Sequence, residues 1–77
     1  MRTIFVRVTS EVSPSYAPML ATPITSTTFS IDSVHPDFTD ALLEFGVGDS
    51  VRCRTIQLRG PGESKARQRL IAVERIG

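Results

Sequence analysis

The sequence has little cysteine, histidine or lysine, and it has no tryptophan. Its single cysteine, Cys53, excludes an intrachain disulfide and is typical of a protein kept in a reducing compartment, so we expect a cytoplasmic protein. With one histidine, His35, the chain also lacks the set of histidine and cysteine ligands that a zinc site requires. We therefore expect neither a metal ion nor another cofactor.

Long apolar runs are missing as well. The N-terminal stretch MRTIFVRV has Arg7 a few residues after Arg2, which leaves too short an apolar run for a signal peptide. No segment has the roughly 20 consecutive apolar residues that a transmembrane helix needs, so we expect no membrane partner. The length of 77 residues predicts a single small domain, 1–77.

Charge is unevenly distributed along the chain, although the net charge is only +1. Residues 8–51 contain six acidic side chains and no lysine or arginine, whereas residues 52–77 contain seven basic and two acidic side chains. Eight of the nine basic residues are arginine, which suits bidentate contacts to phosphate or carboxylate groups. A GC-rich genome would produce the same arginine bias, and both explanations stay open.

The apolar pattern predicts mainly β-strands. Ile4, Val6 and Val8 alternate with other residues in a first strand from Arg2 to Thr9. The Ser- and Pro-rich stretch 10–18 predicts a loop and excludes an inner strand. Further strands are predicted at 19–21 (a short edge strand), 24–31, 51–59 and 66–76.

A short helix of two or three turns is predicted before the last two strands, from Phe38 to Phe45. Apolar residues recur there at spacings of three and four, and Pro36 and Gly46 suit its first turn and its C-terminal cap. The whole order predicts an all-β fold with one short helix. A small five-stranded OB-like barrel fits this order best, and an SH3-like barrel is the alternative.

The last two strands are predicted to form a hairpin around the loop GPGES. Pairing Arg59 with Lys65 would place Gln57 opposite Arg67. Four cations would then share one face near the tip: Arg59, Lys65, Arg67 and Arg69. Like charges on neighbouring strands cost stability, which suggests a counterion. A merely solvated face, a face that binds a polyanion and a face that pairs with the protein's own acidic segment or a second copy all stay open.

The sequence contains no convincing catalytic group. His35 lies near Asp32 and Ser33, but without a second histidine or a nucleophile elbow we expect only local hydrogen bonds there. The Gly-Pro-Gly turn lacks the lysine and hydroxyl residue of a phosphate-binding loop and is interpreted as a hairpin turn. We expect no enzymatic activity. Phe29 and Tyr16 are the candidates for stacking on bases.

Three segments carry a resemblance to a known family: VH, LLEFGVGDSVRCR and RGPGESKARQRLIAVERI. They resemble the second half of a cold-shock domain, which similarly has an L-x-x-G-x-x-V motif at a strand start, a K-G-P turn and a last strand with alanine and aliphatic residues. The resemblance covers residues 35–76. It implies an OB-type barrel that binds single-stranded RNA or DNA.

The sequence therefore predicts a non-enzymatic nucleic-acid-binding protein that uses its basic C-terminal ribbon. The predicted contact residues are the tip cations with two flanking arginines and one tyrosine: Arg52, Arg54, Arg59, Lys65, Arg67, Arg69 and Tyr16. The expected partner is single-stranded RNA or DNA. The alternative is a small protein–protein interaction or regulatory module of the kind found in phages or mobile elements, which binds a partner protein or associates with itself.

Overall fold

Five strands form a closed barrel in a computed structural model of the chain, which describes residues 1–10, 12, 15–58 and 64–76. The strands are β1 (Arg2–Arg7), β2 (Tyr16–Pro23), β3 (Thr28–Val34), β4 (Ser50–Leu58) and β5 (Arg67–Arg75). One turn of 3-10 helix, Pro36–Phe38, follows β3. The predicted Gly-Pro-Gly turn at 60–62 lies outside the described residues.

Each strand pairs with its neighbours in sequence, and all four of these pairings are antiparallel. The barrel closes through a parallel contact of β1 with β5, where Phe5 lies beside Ile71. Because direction alternates along five strands, the first and last run the same way and their contact must be parallel. The prediction of a small five-stranded all-β barrel is confirmed. Its strands follow sequence order around the barrel, whereas the predicted OB-like fold has Greek-key connections.

Inward-facing apolar side chains fill the barrel. The alternation predicted for the first strand is confirmed, since Ile4, Val6 and Val8 are buried. The central core cluster comprises Ile4, Val6, Met19, Ala21, Phe29, Ile31, Phe45, Val51, Cys53 and Ala72. Phe29 is 1% exposed, so its ring is a core element and the prediction that it could stack on bases is wrong.

The strand β2 begins inside the predicted loop and contains a proline. Pro18 pairs with Phe5 of β1 on one side. On its other side the Pro18 carbonyl accepts a hydrogen bond from the His35 amide at 3.3 Å, just past the end of β3. Proline has no amide hydrogen to donate, but on this side of Pro18 the ladder between β2 and β3 has already ended, so no ladder hydrogen bond is lost. This explains why an inner strand tolerates a proline at this position. The predicted loop is therefore wrong for residues 16–18, and the residues predicted as a short edge strand, 19–21, belong to a longer inner strand.

The predicted helix from Phe38 to Phe45 is wrong, since only the single 3-10 turn forms there. Within this segment one turn forms, where the Ala41 amide donates to the Phe38 carbonyl at 3.1 Å, and the rest of its backbone bonding goes to the end of β1. The Thr9 amide donates to the Leu42 carbonyl at 2.7 Å, and the Glu44 amide donates to the Arg7 carbonyl at 3.0 Å. These bonds draw the segment across the end of the barrel, where Phe45 enters the core. Tertiary hydrogen bonds and burial override a weak local helical pattern.

The strands β1, β4 and β5 lie within two residues of their predicted bounds, whereas β3 is displaced along the chain and ends at Val34, three residues later than predicted. That strand begins at Thr28, four residues later than predicted, because residues 24–27 form the turn between β2 and β3. The hydroxyl oxygen of Thr25 accepts from the Thr27 and Thr28 amides at 3.3 and 3.2 Å. This side-chain cap competes with strand geometry and explains the late start.

Candidate nucleic-acid interface

The register of the β4–β5 hairpin decides which cations share a face, and it differs from the prediction. Gln57 lies opposite Gln68, where Arg67 had been expected, so the pairing is displaced by one residue. A β-bulge between Arg52 and Cys53 shifts the ladder again toward the base of the hairpin. Burial specifies register only where one face is packed, and most of the tip half of this hairpin is exposed on both faces.

The observed register places three arginines on the outer face of the hairpin. Arg67 and Arg69 of β5 share that face with Arg54 of β4, because Cys53, Leu70 and Ala72 point the other way, toward the core. Arg54 pairs with Ile71, which is two residues from Arg69 on the same strand. We call Arg54, Arg67 and Arg69 the arginine face. The predicted face combined Arg67 and Arg69 with Lys65, which precedes β5, and with Arg59, which lies outside the described residues.

The arginine face continues onto an aromatic surface of β1. Phe5 points away from the core, yet it is only 8% exposed. It lies beside Ile71 of β5 and Pro18 of β2, and the guanidinium of Arg69 lies 5.1 Å from the centre of its ring. This cation–π contact is worth about 0.5–2 kcal/mol and holds the Arg69 guanidinium close to the sheet. Arg67 and Arg69 also have further interactions within the chain.

Arg7 and Tyr16 extend the same outer surface and are paired with each other across β1 and β2. Tyr16 is half-buried and Arg7 is exposed. Neither Arg7 nor Arg54 forms an ion pair with any residue of the described ranges. Arg7 was not among the predicted contact residues, although its alternation with the buried residues of the first strand could have identified it.

The remaining predicted cations are arranged differently. Arg52 forms an ion pair with Glu74 of β5, so its charge is compensated within the hairpin. Lys65 is exposed and lies two residues before Arg67, outside β5. Arg59 lies outside the described residues. Of the predicted set, the outer surface thus unites Arg54, Arg67, Arg69 and Tyr16.

The base of the hairpin is a neutralised region. Arg75 lies 3.2 Å from Asp49, and its guanidinium is 6.0 Å from the centre of the Phe45 ring. The Gly46 amide donates to the Asp49 carboxylate at 2.9 Å. That hydrogen bond is the main cause that lowers the pKa of Asp49 below its ordinary value. Burial opposes it, and the charge and hydrogen bond of Arg75 add smaller lowering effects.

An apolar groove of about 210 Å³ borders the outer surface on the side of β2, lined by Thr3, Pro18, Met19, Leu20, His35 and Pro36. Leu20 is 44% exposed within it. The His35 Nδ1 accepts from the Asp37 amide at 3.1 Å, so the neutral ring carries its proton on Nε2. This bond starts the 3-10 turn and confirms the expectation of local hydrogen bonding at His35.

The described residues also include side chains of the types that bind metal ions, a short helix and the thiol of Cys53. Their His, Cys, Asp and Glu side chains do not gather in any group of three that could hold a metal ion. Among the same residues no helix has the length and apolar character needed to cross a membrane. Cys53 is free and buried, and its burial raises the pKa of its thiol to about 11, which disfavours the reactive thiolate.

Comparison with known proteins adds no relative to this picture. The chain matches no protein-family model, no curated protein and no solved structure.

Proposed function

We propose that this protein binds single-stranded RNA or DNA without catalysing a reaction, through the outer surface of β4, β5, β1 and β2. The observation that carries the proposal is the continuity of arginine and aromatic side chains on that surface. Arg54 lies in the same row as Ile71 and Phe5, and Arg7 pairs with Tyr16. Cations that contact phosphates beside rings that stack on bases are the usual components of a single-strand site. We place the protein in the cytoplasm, since Cys53 is a free thiol.

Each side chain has a defined role in this proposal. Arg54 and Arg7, which have no described carboxylate partner, would contact phosphates. Tyr16 supplies an accessible ring for stacking, whereas Phe5 is covered by Arg69 and mainly holds that guanidinium in place. Contacts of this kind go to the backbone and to base faces, so binding is expected to tolerate different sequences and to weaken with salt.

The experiment measures binding of fluorescently labelled single-stranded and double-stranded oligonucleotides by anisotropy at several salt concentrations. The double variant Arg7→Gln/Arg54→Gln removes two phosphate contacts and should reduce the slope of log K against log salt by about 1.4, at about 0.7 for each contact. Tyr16→Leu should weaken single-strand binding by about 1–3 kcal/mol while leaving the salt slope unchanged.

Arg2→Gln is the matched control for the arginine variants. Arg2 lies on β1 like Arg7, but on the opposite side of the strand from Phe5 and Arg7. It removes the same charge without touching the outer surface, so both affinity and salt slope should change little. Equal losses for Arg2→Gln and Arg7→Gln would mean that binding follows net charge alone. The absence of binding to any oligonucleotide at low salt would refute the proposal.

A protein-interaction module is the second candidate function. The observation that favours it is the apolar groove beside β2, where Leu20 is 44% exposed. Accessible apolar surface of this kind is typical of contacts with other proteins. Leu20→Ser should abolish such a contact and leave oligonucleotide binding intact, so the two candidate functions are separated by one variant.

A further inference from the structure

The hairpin of β4 and β5 extends past the point where β3 stops pairing with it. The described pairing of β3 with β4 runs from Ser30 and Ser50 to Thr28 and Arg52. One further bond follows, from the Cys53 amide to the Thr27 carbonyl at 2.7 Å. From Arg54 onward, β4 has β5 on one side and no described residue pairing with its other side. Residues 54–58 of β4 thus present a strand edge, which we call the free edge.

The direction of the peptide groups along the free edge follows from the bonds at its base. The Cys53 amide points toward β3, and the groups of a strand alternate between its two sides from one residue to the next. Thr55 and Gln57 therefore direct both their N–H and C=O groups away from β5. Arg54 and Ile56 direct theirs into the ladder with Ile71 and Arg69. The free edge offers two donors and two acceptors.

We propose that a second copy of this chain pairs with the free edge in antiparallel orientation, centred on Ile56. In this register Thr55 of each copy lies opposite Gln57 of the other, and all four peptide groups of each edge form hydrogen bonds. A register centred on Thr55 would require the Cys53 amide, which already donates to Thr27. The register centred on Ile56 is thus self-complementary, because it uses the N–H and C=O groups of both Thr55 and Gln57.

The side chains of the outer face suit the same register. Ile56, which is half-buried, lies opposite its own counterpart, and Arg54 lies opposite position 58, so no two described cations face each other directly. The competing explanation is that Arg54 and its neighbouring cations keep the edge unpaired, as charged residues do on many edge strands. The contact is small, so a dimer should dissociate on dilution.

The dimer has a consequence for ligand binding, which rests on the function proposed above. The two-fold axis of an edge-to-edge contact is perpendicular to the sheet, so both copies present the same face. The two arginine faces would join into one surface across four strands and contact a longer stretch of a single strand. Dimerisation itself does not depend on that function and is measured without any oligonucleotide.

Sedimentation equilibrium of the complete chain from about 10 µM to about 1 mM tests the contact, a range suited to a weak complex. Ile56→Lys and Ile56→Glu each place two like charges on the two-fold axis, and each variant alone should be monomeric. An equimolar mixture should form dimers again, because a lysine then faces a glutamate. Circular dichroism checks that both variants fold, and the recovery in the mixture could not come from unfolded chains.

A disulfide trap tests the register in a Cys53→Ala background. Ile56→Cys places two thiols at a non-hydrogen-bonded pair, where the Cα atoms lie about 4.5 Å apart and a disulfide can form. Thr55→Cys is the control, because its two copies would lie about 9 Å apart. We expect a covalent dimer from Ile56→Cys only. A wild-type monomer at about 1 mM, together with no covalent dimer from Ile56→Cys, would overturn the proposal, and a dimer trapped by Thr55→Cys alone would overturn the register.

Discussion

The two halves of β4 belong to one strand but have different surroundings. Residues 50–53 lie between β3 and β5, and Val51 and Cys53 point into the core. Arg52 in this half is paired with Glu74. Residues 54–58 pair with β5 on one side and with no described strand on the other. Thr55 and Gln57 continue the row of Val51 and Cys53 but are exposed. One half is part of the barrel, and the other projects from it.

This difference shows why arginine content alone is a poor guide to function. Arg52 and Arg75 are as basic as Arg54, but carboxylates on neighbouring segments compensate them. Arg52 links the two strands of the hairpin through Glu74, and Arg75 links the hairpin to Asp49 in the connection between β3 and β4. On the outer surface, by contrast, Arg54 pairs with Ile71 and Arg69 lies over the ring of Phe5. Position relative to the barrel separates structural cations from candidate contact residues.

The largest expected effect comes from opening the base of the barrel. Phe45→Ala removes a ring that is 8% exposed from the core cluster, and we expect a loss of about 3–5 kcal/mol in the free energy of unfolding. Leu42→Ala is the control from the same connection, since Leu42 is 65% exposed and should lose no more than about 0.5 kcal/mol. Urea denaturation measures both. Similar losses for the two variants would contradict the extended path of this connection and favour the helix predicted from sequence.

A smaller effect is expected on thiol reactivity, which can be measured in both halves of β4. Burial raises the pKa of Cys53 to about 11, so its thiolate is scarce at pH 8. A cysteine placed at Thr55, in a Cys53→Ala background, is two residues along the same row but exposed. We expect the native Cys53 to react with a disulfide reagent about two orders of magnitude more slowly than this exposed cysteine.

Both proteins should react equally fast after unfolding in denaturant, which controls for intrinsic reactivity. Dilute protein keeps any dimer dissociated during the measurement. Equal rates in the folded state would mean that the barrel does not separate the two halves of β4.

The strands and their inward faces were predictable because the barrel imposes a period of two on buried positions. Ile4, Val6 and Val8 show that period clearly, and the two C-terminal strands were located to within one residue. The helix prediction failed because the spacing of Phe38 and Phe45 also fits a segment that follows the barrel end and inserts one ring. Such a segment is defined by hydrogen bonds to distant residues, which local spacing does not reveal.

The candidate site was predictable in composition but not in arrangement. The concentration of arginine in the last third of the chain directed attention to the hairpin, where the structure places Arg54, Arg67 and Arg69 on one face. The predicted register of β4 and β5 was wrong because Thr55 and Gln57 lie in the inward-facing row but are exposed. The pattern of apolar residues therefore does not specify the pairing there. The bulge at Arg52 and Cys53 added a further shift. Arg7 and Phe5 join the site through strand pairing, which depends on the whole barrel.

The smallest expected effect is the pH dependence of the neutralised base. The pKa of Asp49 is lowered in the folded protein by the Gly46 amide and by Arg75, so the folded state favours the ionised carboxylate. Its contribution to stability is fully present above the pKa of the unfolded chain, about 3.9, and disappears as the pH falls through the lower folded pKa. Asp49→Asn should therefore be less stable than wild type at neutral pH.

The stability difference between Asp49→Asn and wild type should shrink below about pH 4, as the wild-type carboxylate becomes protonated. Thermal unfolding midpoints over a pH series measure it. Asp40→Asn removes a carboxylate from the same connection that has no ion pair with a described residue, and so controls for the change in net charge. A difference that stays constant at all pH values would show that Asp49 contributes through the Gly46 hydrogen bond irrespective of its charge. In that case hydrogen bonding, and not charge, would stabilise the base of the hairpin, and the ion pair of Arg75 with Asp49 would contribute little to stability.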